Sequence, residues 1–294
     1  MKLFVSQTLE NGRLGGPKEK QVSFLHDCTD YEIDIKQCGE RQITISSSGT
    51  NTARNFQNVF YNLETLLMLF DGQFYSVIRA IENDKEVTES FRRRRTPNYK
   101  SADLMIGEGN QLIDFESVLS DELLMRRINL RDELDLIHNM MLYCVSSVQI
   151  PVDMKCAFMV EAFLGIGELV NVKNPNFILP SVKNGESKLE KYITALIEYY
   201  GQEIFFEECK SNKEQFAKIL KDSRNRIAHI KSKQGHRFLN GKESVLYLAK
   251  LSMLYRVILF DLLGIPKETY NNNLQRRTDV LNQYQGILGD FLKS

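Results

Sequence analysis

The chain has no excess of either charge: 38 lysines and arginines offset 38 aspartates and glutamates over 294 residues. That balance excludes a protein that coats nucleic acid through bulk electrostatics and confines any nucleic-acid contact to a local basic cleft. None of the five cysteines (Cys28, Cys38, Cys144, Cys156 and Cys209) forms a CxxC pair. A scattered, odd-numbered set matches neither a disulfide framework nor a zinc site, and reduced thiols in a cytosolic protein are expected. The opening MKLFVSQTLENG lacks the apolar core of a signal peptide. No apolar run reaches bilayer length; the stretch from Leu246 to Leu263 comes closest, and Lys250, Arg256 and Asp261 interrupt it. The expected location is therefore the cytoplasm. Walker, GxGxxG, GxSxG and HExxH sequences are also missing, so nucleotide hydrolysis, redox cofactors and serine hydrolysis gain no support. His26 and His138 have no companions at metal or triad spacing, and no cofactor is expected.

What is present is ordinary globular material, 43% hydrophobic and 26% charged, and long enough for one large domain or two modest ones. The first fifty residues read as strands. Tyr31, Ile33 and Ile35 alternate with polar residues, Cys38 to Arg41 reads as a turn, and Ile43 and Ile45 resume the alternation. Weaker strands are expected over 2–9 and 21–25. Phe56, Val59, Phe60, Leu63, Leu66, Leu67 and Phe70 then recur at helical steps. Residues 73–110 read as a strand or two plus exposed loop, the loop including the run Arg92 to Arg95. From about Ser120 the pattern is helical: 121–146, a helix started by Pro151, 189–200, 212–231, 243–263 and 273–292. The expected fold is mainly α, with a β-rich α+β amino-terminal domain over 1–115, a candidate sensor or regulatory module, and a helical domain over 116–294.

The segment Asp222-Ser223-Arg224-Asn225-Arg226-Ile227-Ala228-His229 carries the chemistry. Asp222 or Ser223 can cap a helix that starts here, or the helix from Asn212 kinks and restarts. Asn225 and His229 stand four apart and leave one helix face, with Arg224 one residue earlier. The cluster offers an amide, a permanently charged fork that binds phosphate bidentately, and an imidazole that titrates near neutrality. Such a kit can cleave a phosphodiester without a metal, and it suits RNA, whose 2′-hydroxyl is a built-in nucleophile. One histidine is thin provision for two proton transfers, which a homodimer would remedy by facing two motifs across a two-fold axis.

Arg224-Asn225-Arg226-Ile227-Ala228-His229 resembles, without a gap, the signature of the HEPN superfamily: arginine, a polar residue, three variable residues and histidine. Its local form resembles the ApeA-like subset in particular. A helix containing Glu161, a further helix, the motif helix and a long apolar helix follow in HEPN order over about 120–265, and ApeA-like proteins place a β-rich module ahead of that domain. The resemblance implies a helical-bundle, metal-independent endoribonuclease acting as a dimer, commonly in phage defence or toxin systems. Arg224 would contact the scissile phosphate, His229 would serve as acid or base, and Asn225 would orient the site. RNA, with tRNA among the candidates, would be the partner, and a regulatory protein or phage component the trigger. Many HEPN domains instead dimerise without catalysis, or bind nucleotides as regulators, and both alternatives stand.

Secondary candidates are weaker. Glu161 is either a buried partner for Arg224 or an ordinary solvent-facing residue. Lys231, Lys233, His236 and Arg237 either neutralise RNA phosphates or form a solvated loop. Arg93 and Arg94 either hold RNA or belong to a self-repelling loop.

Overall fold

A computed structural model describes residues 1–9, 14–48, 53–94, 110–146, 149–229 and 237–288. The described residues form two compact units, the first ending at Asp132 and the second beginning at Glu133. Among the described residues no helix is long and apolar enough to cross a membrane.

The first unit is built on a six-stranded antiparallel sheet of order β2-β3-β4-β1-β5-β6. Its strands are β1 (Lys2–Leu9), β2 (Lys18–His26), β3 (Thr29–Cys38), β4 (Glu40–Ser47), β5 (Tyr75–Glu82) and β6 (Lys85–Glu86). Tyr31, Ile33, Ile35 and Gln37 are buried in strict alternation along β3, so one face of the sheet is core. Two connections are two-residue turns whose residues, Asp27-Cys28 and Asn83-Asp84, all have positive φ, the twist that antiparallel hairpins favour. Helix α1 (Ala53–Asp71) supplies the predicted apolar stripe, with Phe56, Leu63, Leu66, Leu67 and Phe70 fully buried. The turn expected over Cys38 to Arg41 is tighter than that: Gly39 alone reverses the chain, and Arg41 belongs to β4. Its buried guanidinium donates to Gln37 Oε1 at 3.1 and 2.8 Å, to Asp71 Oδ2 at 3.1 Å and to the Tyr75 hydroxyl at 2.6 Å.

The region read as strand plus loop contains β5 and also a helix, α2 (Thr88–Arg94). Arg92 is not in a loop: its guanidinium donates to the Val77 carbonyl at 3.0 and 2.7 Å, pinning α2 to β5. Arg93 and Arg94 are helical by backbone, and their side chains lie outside the described residues. Short helix α3 (Phe115–Val118) and helix α4 (Asp121–Asn129) complete the unit and touch β2, with α4 also against α1. The helix expected over 121–146 is thus two, broken at Leu130. The second, α5 (Arg131–Val145), leads into the other unit.

The second unit is helical: the rest of α5, then α6 (Val152–Lys173), α7 (Lys188–Tyr200), α8 (Phe206–His229), α9 (Gly241–Leu262) and α10 (Asn271–Leu288). Helix α6 is its axis and packs on α7, α8 and α9. Gly167 permits the close approach to α7, since a Cβ there would meet the Tyr192 ring at 3.0 Å. The architecture is therefore mainly α, with a β-rich unit first.

Candidate functional site

Helix α8 positions the Arg224–His229 segment. Acidic Glu207 and Glu208 in its first turn and basic Arg226 and His229 in its last complement the helix dipole. The helix kinks at Asn212, whose backbone is extended (φ −168°, ψ 95°). The Asn212 side chain accepts from the Gln215 amide at 2.9 Å and so caps the following stretch. That stretch buries Phe216, Ala217, Ile219 and Leu220, then runs unbroken through the motif. Neither Asp222 nor Ser223 starts a helix, contrary to expectation. Ser223 Oγ donates back to the Ile219 carbonyl at 2.7 Å, which a mid-helix serine can do without ending the helix. The same oxygen accepts from the Leu239 amide at 2.9 Å and ties the strap before α9 to α8.

Arg224 is about three-quarters buried and tightly held. Its Nε donates to Glu161 Oε2 on α6 at 2.6 Å, and its Nη1 donates to Asn225 Oδ1 at 2.8 Å. Glu161 is thus paired with Arg224, but its side chain is 36% exposed and not buried as the pairing reading expected. Among the described residues these bonds engage two of the five N–H donors of the guanidinium, leaving three for a ligand. Asn225 turns its amide oxygen to Arg224, which leaves its NH2 to donate elsewhere. His229 is exposed at the last residue of α8, one turn beyond Asn225 on the same face. Arg226 stacks its guanidinium on the Phe238 ring, 5.2 Å from the centroid.

Beneath the segment lies a cavity of about 50 Å³ lined by Asp153, Cys156, Val160, Leu220, Arg224 and Phe238, among others. It holds a water or two and not a nucleotide. A large ligand must therefore lie over the surface presented by Arg224, Asn225 and His229. Arg237, expected beside these residues, is committed otherwise: it forms an ion pair with Glu243 and donates to the Phe238 carbonyl. Glu243 in turn closes a capping box with Asn240 at the start of α9. Lys231, Lys233 and His236 lie outside the described residues. Among the described residues no group of three or more metal-ligating side chains is assembled. Two features of the site had no sequence signal strong enough to find: the Ser223–Leu239 tie and the Arg226–Phe238 stack both join α8 to a strap with no periodic pattern.

Helix α8 thus carries an arginine, an amide and a histidine near its carboxy-terminal end. Residues 170–269 match the family model described as Apea-like HEPN, a span that contains α7, α8 with its Arg224–His229 segment, and α9. The chain therefore carries an ApeA-like HEPN domain in its second unit. Glu161 lies amino-terminal to the matched span. No curated protein and no solved structure matches the chain.

Proposed function

We propose that the protein is a metal-independent endoribonuclease that acts as a homodimer in antiphage defence or as a toxin. The observation that supports this reading is the state of Arg224: a guanidinium oriented by Glu161 and Asn225, with donors to spare, one helical turn from an exposed imidazole. In the reaction the RNA 2′-oxygen attacks the adjacent phosphorus, its proton passing to a neutral imidazole. The phosphorus–O5′ bond breaks, the departing oxygen takes a proton from an imidazolium, and a 2′,3′-cyclic phosphate and a 5′-hydroxyl result. Arg224 binds the phosphate and offsets the charge that builds on it in the transition state. His229 exchanges protons, and the partner protomer's copy of His229 supplies the second transfer. Asn225 orients the phosphate and Arg224. The shallow ground around Arg224 suits a polymer laid across two protomers better than a small nucleotide. The amino-terminal unit acts as sensor or regulator, answering to a phage component or a partner protein.

The test is incubation of full-length protein with total tRNA in EDTA. Wild type is expected to leave cyclic-phosphate ends, and His229→Ala to lose about 10²–10⁴-fold in rate. Sedimentation of the wild type should give a dimer. Cleavage that survives in both His229→Ala and Arg224→Ala would overturn the proposal.

A further inference from the structure

Of the two arginines in the motif segment, Arg224 is held by Glu161 and Asn225, and Arg226 by an aromatic ring. Arg226 precedes His229 by three residues and Asn225 precedes it by four, so these two side chains flank the imidazole on the surface of α8. The Arg226 guanidinium does not turn back to Asp222, one turn earlier, which lies 3.3 Å from Lys221 Nζ. It crosses to the strap before α9 and lies over the Phe238 ring, 5.2 Å from the centroid. Among the described residues it forms no ion pair and no hydrogen bond through its side chain. The basic residues around it differ: Lys221 pairs with Glu190 at 2.9 Å, and Arg237 with Glu243.

The ring itself is fixed from both sides. The Phe238 carbonyl accepts from Arg237, the next amide, Leu239 N–H, donates to Ser223 Oγ at 2.9 Å, and the Asn240–Glu243 capping box follows. A guanidinium resting on a ring keeps its N–H groups, which lie in its own plane, directed sideways and uncommitted. Its charge is not neutralised by the ring, and its orientation is set before any ligand arrives, which lowers the entropy lost on binding. An oriented cation with donors along its edge matches the oxygens of a phosphate, which accept two parallel N–H bonds. Arg224, Arg226 and Phe238 line the same small cavity, so the two guanidinium groups border one opening. RNA carries a phosphate at every residue, and a strand that places one phosphate at Arg224 passes the next over the adjoining surface of α8. We propose that Arg226 binds the RNA phosphate next to the scissile one, with Phe238 as the ring that orients it. This assignment rests on the reading that RNA is the substrate of the Arg224–His229 turn, and it makes Arg226 a positioning residue, not a catalytic one.

The test is fluorescence anisotropy of labelled single-stranded RNA, mixed with the full chain in the His229→Ala background over a series of potassium chloride concentrations. Each phosphate contact adds about 0.7 to the slope of log affinity against log salt for a single strand. Arg226→Met keeps an unbranched stem over the ring and removes the charge. It is expected to flatten the slope by about 0.7 and to weaken binding about 3–10-fold, equally for oligonucleotides of different sequence. Arg226→Lys should keep the slope and weaken binding less, and Phe238→Leu should also keep the slope. In cleavage by the protein with His229 intact, Arg226→Met should act on KM more than on kcat, as a loss of uniform binding does. A wild type that binds RNA with the expected slope change but does not cleave it would end the nuclease reading and leave this assignment standing. The assignment is overturned if Arg226→Met binds with the parent's affinity and slope, if its loss depends on base identity while the slope holds, or if the full chain binds no RNA.

Discussion

At the scale of single residues, the Arg224–Glu161 pair joins two helices through side chains that are 24% and 36% exposed. An ion pair open to water to that extent contributes up to about 1 kcal/mol to stability, so positioning is its larger effect. Glu161→Gln keeps the shape and one acceptor oxygen but removes the charge that holds Nε. It is expected to leave the melting temperature nearly unchanged while lowering kcat/KM for RNA by about 10–100-fold, since small displacements of an oriented group are costly to rate. Equal rates in the two proteins would show that Glu161 does not position Arg224. The cysteines give a second prediction. Burial pushes the Cys144 thiol up to about 12 and raises Cys156 as well, so near pH 8 both are almost wholly protonated and unreactive. Iodoacetamide should label exposed Cys28 and Cys38 in the native protein, and Cys144 and Cys156 only after denaturation, as peptide mapping would report. The motif residues were legible in sequence because Arg224, Asn225 and His229 need only one helix to bring them together.

At the scale of elements, periodicity located α1 over nearly its whole length, since Phe56 to Phe70 repeat on one face and Asp71-Gly72 end the pattern. It also located α9, but not how α9 begins. The Asn240–Glu243 capping box is reciprocal, and Arg237 adds a charge to it, so this start is doubly fixed. Asn240→Ala is expected to cost about 1 kcal/mol in urea unfolding. A change below a few tenths would mean that the strap before α9 holds without its cap. One boundary was not legible. The 121–146 pattern does not betray the break at Leu130, because apolar residues on either side keep helical spacing across it. The start expected at Asn212 was legible: its extended backbone separates two helical stretches within α8, and its side chain caps the second. Helix α2 was hidden for a related reason: Arg92, one of four consecutive arginines, reads as a repelling loop until the Val77 carbonyl is placed beside it.

At the scale of the whole second unit, three helices converge on one buried ion pair. Lys250 on α9 donates to Glu208 on α8 at 2.9 and 3.1 Å and to Gln285 on α10 at 2.7 Å, with both charged side chains fully buried. Burial draws the Lys250 ammonium below its usual range even against the attraction of Glu208. In the sequence Lys250 only interrupts an apolar run; its partner lies on another helix, and nothing local connects them. Breaking such a pair from one side leaves a bare charge in the core and costs about 3–5 kcal/mol, whereas replacing both partners with apolar groups is often neutral. Lys250→Met is therefore expected to lower stability by about that amount, and Lys250→Met with Glu208→Leu to recover most of it, as denaturant titrations of the four proteins would show. Glu208 precedes the bend at Asn212, whereas Arg224 follows it and is anchored by its own contact with Glu161 on α6. The double variant should consequently keep whatever RNA cleavage the wild type shows at temperatures well below its transition. Loss of cleavage in a double variant that is as stable as the wild type would mean that the first stretch of α8 and the Arg224–His229 turn move as one body, with the bend at Asn212 acting as a rigid elbow.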